Sequence, residues 1–188
     1  FRPEILDAEA EQIDYTTAAK RITEYKAKVV CFVVYGQQPS ASSQNMEGAT
    51  ATAREFRNLA PNTFILFVGA HVAALPEETL QKETYINAVC QNEGVYTIQN
   101  LLRLSNFDEV ELRKIDGLVF RTADNHIVVN ASSPIVPREL LDIELPGMAW
   151  DLLPSFDKYR TAGWHSWSNN TEKQPFAALY TSLGCPYR

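Results

Sequence analysis

The chain has 188 residues, 45% of them hydrophobic and 21% charged, with a formal net charge of −6. That is room for one domain of about 100–150 residues plus appendages; the composition excludes disorder, and the acidic balance excludes nucleic-acid backbone binding as the main task. No run approaches about 18 consecutive apolar residues, the N-terminus lacks the charged and apolar regions of a signal peptide, and Cys31, Cys90 and Cys185 are too widely spaced for a disulfide framework, so a reducing cytoplasm and no membrane span are expected.

Up to about residue 105, strand and helix patterns alternate, which predicts an α/β fold with a parallel sheet and helices on both faces. Glu4–Asp7 is a short strand-like stub. Asp14 can cap a helix whose Ala18, Ile22 and Tyr25 fall at helical spacing. Lys28–Val34, apolar almost throughout, reads as a fully buried strand, and the helix from about Asn45 to Leu59 that follows presents Met46, Ala49, Ala53 and Phe56 on one face. Phe64–Val68 is the next buried strand. Pro76, Glu77 and Glu78 then open a helix, with proline in its first turn and acids at its positive end. Tyr85–Cys90 and Val95–Leu104 complete the series as a strand and a helix. Beyond it, Leu118–Arg121 and His126–Val129 flank Asp124-Asn125, residues suited to the positive-φ positions of a tight turn, so a β-hairpin is expected over 106–130. Residues 131–175, with Pro134, Pro137, Pro146, Pro154 and Pro175, read as an extended linker whose Trp150, Leu152, Leu153, Trp164 and Trp167 are too apolar for free solvent. Phe176–Thr181 is a short apolar run that would deliver Cys185 in a following loop.

In open α/β sheets ligands collect outside the carboxyl ends of the strands, and three loops there stand out. The first, after Val34, carries Gly36, Gln37, Gln38, Ser40, Ser42 and Ser43. The second carries Gly69, Ala70 and His71, and the third Glu93 and Gly94. Together they form a small, polar rim suited to wrapping a large cofactor through backbone and amide groups; the competing reading of each is an ordinary polar loop. Other residues carry less. Cys31 and Cys90 read as core packing, His126 and His165 have no metal-ligand spacing, and Glu77 and Glu78 are helix-start charges. No Ser-His-Asp constellation or Walker-type phosphate loop is present.

The order of these features resembles the cobalamin-binding domain found in front of many radical S-adenosylmethionine enzymes. The stretch Val68-Gly-Ala-His-Val-Ala-Ala-Leu-Pro-Glu-Glu78 is similar to that family's Gly-Gly/Ala-Pro-His-x-x-x-x-Pro-Glu-Glu segment, with valine at the first glycine. Asn92-Glu-Gly-Val95 matches part of its Gly-Glu-Gly-Glu turn, with valine at the second acid. A hairpin, the phrase Pro146-Gly-Met-Ala-Trp-Asp-Leu-Leu153 and the terminal Thr181-Ser-Leu-Gly-Cys-Pro186 follow in the family's order. That last segment resembles the strand and loop that open a C-x3-C-x2-C motif, whose three thiolates hold a [4Fe–4S] cluster.

The resemblance implies a Rossmann-like, flavodoxin-like sheet and a cobalamin cofactor held by the rim residues, His71 included but not as a cobalt ligand. It implies Cys185 as the first iron ligand. The cluster, S-adenosylmethionine and methyl transfer to an unactivated centre would then belong to a full-length protein with a C-terminal barrel, the chain alone being inactive. The two valines support a second reading, a cobalamin-free docking module of the same fold. The family also opens with a central strand and helix before Glu4. Three arrangements would satisfy the edge left behind: upstream residues, displacement of Glu4–Asp7 to pair with Lys28–Val34, or strand exchange between two copies, with displacement the least costly.

Overall fold

A computed structural model describes residues 1–35, 39–161 and 174–177. Short, mostly apolar runs form β1 (Val29–Val33), β2 (Phe64–Val68), β3 (Ala88–Cys90), β4 (Leu118–Arg121) and β5 (Ile127–Val129), which make one sheet in that order. The pairs β1–β2 and β2–β3 are parallel, and β3–β4 and β4–β5 antiparallel. The predicted hairpin is thus not an appendage. Its first strand pairs Val119 with Val89 and Phe120 with Ala88, and Asn125 takes the positive φ of 66° that its turn needs.

The period of two along β2 builds two cores. Ile65 and Phe67 join Ala19, Ala53, Phe56, Val72, Leu80 and Val119 on one face. Phe64, Leu66 and Val68 join Cys90, Leu101, Leu112, Ile115 and Phe120 on the other. The first core is covered by α1 (Tyr15–Glu24), α2 (Pro39–Leu59), α3 (Ala70–Ala74) and α4 (Pro76–Lys82), and the second by α5 (Val95–Arg103) and α6 (Glu109–Leu112). The α/β fold with helices on both faces is as the sequence predicts.

Three expectations change. Lys28–Val34 is not a fully buried strand: β1 lies at one end of the sheet order, its residues are half-buried, and Val33 is 66% exposed, because its described pairings are all with β2. Glu4–Asp7 forms no strand and so does not extend the sheet. Asp7 instead accepts from the Ala10 N–H through its side chain at 3.0 Å and from the Glu11 N–H through its carbonyl, which winds the backbone into a turn. The linker is extended only as far as Pro137, beyond which 3-10 turns at 138–140, 150–152 and 156–158 and the short α7 (Leu141–Glu144) break it up.

Residues 15–146 form one compact unit. A second comprises residues 1–14 and the described residues from 147 onward. Within it the Tyr159 hydroxyl donates to Asp7 at 3.0 Å, the rings of Trp150, Phe156 and Tyr159 pack in series, and β6 (Arg160–Thr161) pairs with β7 (Gln174–Pro175).

Candidate functional site

Because β1, β2 and β3 are parallel, the residues that follow them, from Val34, Gly69 and Gln91, share one edge of the sheet. Two glycines let those segments close on each other. Gly69 has φ 149°, and a Cβ there would stand 2.1 Å from the Val34 carbonyl oxygen. Gly94, left-handed at φ 76°, lies against Val68 and Cys90, where a Cβ would come within 2.8 Å of the Val68 side chain. Backbone approach this close excludes any other residue without movement. The Val34 N–H donates to the Val68 carbonyl at 2.7 Å, continuing the β1–β2 ladder into the rim.

Side chains then join the first two loops. Ser42 is buried; its hydroxyl donates to the Val34 carbonyl and accepts from the His71 N–H at 3.0 Å. Ser43 is exposed, and its Oγ lies 2.9 Å from His71 Nδ1. The sequence reading finds no serine–histidine pair because the two residues stand 28 positions apart. The third loop is braced from behind: Gln91 N–H donates to the Gly117 carbonyl at 2.7 Å, and the Asn92 amide donates to the Ser133 carbonyl at 3.2 Å. Burial pushes the Glu93 carboxyl above its ordinary pKa.

At this sheet edge Gly69, Glu93 and Gly94 lie in the connections, while Ser42 and Ser43 lie in the first turns of α2, which opens at Pro39 and not at about Asn45, and Ala70 and His71 in the first turn of α3. Gly36, Gln37, Gln38, the Ser40 side chain and Cys185 lie outside the described residues. The edge offers backbone groups, hydroxyls, an imidazole and a single carboxyl, a donor set that fits a large, hydrogen-bonding cofactor better than a bare cation. Among the described residues no cluster of three His, Cys, Asp or Glu side chains is arranged for a metal. Cys31 and Cys90 serve packing: burial raises the Cys31 thiol to about 12 and pushes Cys90 up as well, which keeps both protonated and unreactive. His126 is a surface residue at the hairpin tip, 2.6 Å from Asp124.

A cleft of about 330 Å³ between α2 and α4 shares only Ser43 and His71 with the rim. Its remaining walls include Glu47, Glu78, Lys82 and Glu83, and Lys82 is paired with Glu78 at 2.6 Å.

Three comparisons bear on the site. The family model of the B12 binding domain matches residues 1–102. An uncharacterized methyltransferase of Pyrococcus horikoshii is 30% identical over 185 residues, covering 97% of this chain and 35% of the relative, so the chain spans about a third of that protein's length. The apo structure of OxsB, a cobalamin-dependent S-adenosylmethionine radical enzyme, superposes with a TM-score of 0.44 at 13% identity, covering 64% of this chain and 16% of the other.

Proposed function

Because the chain belongs to the B12-binding domain family, we propose that the rim at the carboxyl ends of β1, β2 and β3 holds cobalamin for methyl transfer within a longer radical S-adenosylmethionine protein. The observation that carries the binding half is the closure of Gly69 on Val34 and of Gly94 on Val68 and Cys90. Two backbone turns without side chains lie on one edge, where the amides and hydroxyls beside them can hydrogen-bond a bulky ligand. The radical and methyl-transfer half draws on the motif order of residues 68–78, 92–95 and 146–153, on Cys185 as a first cluster ligand, and on the methyltransferase relative.

In this reading Ser43, Ala70, His71 and Glu93 present polar atoms to the ligand, and Gly36, Gln37, Gln38 and Ser40 are further candidate contacts. Bound cobalamin supplies a methyl carrier. The chain's own contribution is to orient that carrier and keep water from its reacting face. His71 acts as a rim residue. Its ring Nδ1 lies 2.9 Å from the Ser43 hydroxyl oxygen.

Titration with hydroxocobalamin, followed by its visible spectrum, tests this. Saturable binding is expected in the unaltered chain, and His71→Ala should weaken it without removing an imidazole–cobalt spectrum. Such a spectrum lost in the variant would make His71 a cobalt ligand. No binding at all would favour the docking-module reading.

A further inference from the structure

Ser42 differs from its neighbours in the rim because it is buried and its proton is already given to the backbone. It is 1% exposed. Its one proton goes to the Val34 carbonyl, and its oxygen accepts the His71 N–H at 3.0 Å. Ser43, one residue on, is exposed and reaches the His71 ring. The Val34 carbonyl is also the group that Gly69 abuts, with room for no Cβ between them. One hydroxyl thus ties the end of β1 to the first turn of α3, across the contact where the two loops come closest.

Resting on the cobalamin reading above, we infer that Ser42 is a positioning residue: it fixes the backbone of Gly69–His71 against Val34, and so sets the geometry in which that loop meets the corrinoid, without touching the corrinoid itself. Removing the hydroxyl leaves the buried Val34 carbonyl and the part-buried His71 N–H without their shared partner. The loop then relaxes toward whatever arrangement best solvates them. The rim stays present but is no longer held in one geometry.

The test uses the 188-residue chain with three variants: Ser42→Ala, Ser42→Cys and Leu112→Ala. The thiol of Ser42→Cys keeps the bulk but hydrogen-bonds weakly, so it serves should the alanine variant fold poorly. Leu112 is the buried last residue of α6, outside the rim, and its truncation lowers stability without altering the loops. Hydroxocobalamin affinity is expected to fall about tenfold in Ser42→Ala, the scale of one lost hydrogen bond, and by less in Ser42→Cys. It should stay within about twofold in Leu112→Ala even where the Tm falls further. Hydrogen exchange at the His71 amide, read without ligand, should accelerate in both Ser42 variants and not in Leu112→Ala.

Unchanged affinity in Ser42→Ala, or a loss that tracks Tm equally in all three variants, overturns the inference. So does an unchanged His71 exchange rate. Failure of the unaltered chain to bind hydroxocobalamin would remove the cobalamin reading, with the His71 exchange rate then deciding the lock by itself.

Discussion

Glu93 and Gly94 sit side by side in one loop and show two ways a residue can be constrained. Gly94 is constrained by space, since its left-handed backbone at φ 76° packs against the side chains of Val68 and Cys90. Glu93 is constrained by charge: burial raises its carboxyl pKa above the unfolded value. The folded state therefore binds this proton more tightly than the unfolded chain does. The carboxyl imposes no penalty below its unfolded pKa, about 4.3, and its full penalty once pH has risen through the higher folded value. Glu93→Gln should accordingly raise Tm at pH 7 and leave it nearly unchanged at pH 3.5. Equal gains at both pH values would mean that packing, not ionisation, sets the effect. That Glu93 and Gly94 share a loop was legible in the sequence, because the glycine follows a strand and opens a helix. The carboxyl's burial was not, since it depends on neighbours brought in by folding.

At the scale of elements, the joint between α2, β2 and β3 rests on Asn87 and Arg57. Asn87 Oδ1 accepts the Ile65 N–H at 2.8 Å and an Arg57 Nη at 2.5 Å, while Arg57 also donates to the carbonyls of Pro61, Thr63 and Tyr85. Asn87→Ala would leave a ladder N–H of β2 without its partner at a cost of about 1–3 kcal/mol. Urea denaturation should show a lower midpoint with an unchanged m-value. Asn87→Asp, which keeps the acceptor and faces a guanidinium, should lose less; equal losses would place the effect in packing. Helix α6, like α3 and α7, has no counterpart among the predicted elements, although its signal is local: Asp108 caps it by accepting from the Glu111 N–H at 2.9 Å, in an Asp-x-x-Glu spacing. The misjudged exposure of β1 had no such signal. An apolar run reads the same whether one or both of its edges are paired.

At the scale of the whole molecule, both apolar clusters fall inside residues 15–146. That segment alone should unfold in a single cooperative transition seen alike by near- and far-ultraviolet circular dichroism. Retained far-ultraviolet signal with no near-ultraviolet transition would show that its core needs the remaining residues. By itself the sequence determined the alternation of strands and helices, the α/β class and the three polar connections that follow β1, β2 and β3. Each of these depends on periodicity and on glycine, proline and capping chemistry within a few residues. Tertiary structure decided that β1 lies at the end of the sheet order and that the hairpin continues the sheet. It also decided that Ser42 is buried between Val34 and His71 while Ser43 faces outward. These outcomes depend on pairings between residues tens of positions apart, which only the folded chain brings together.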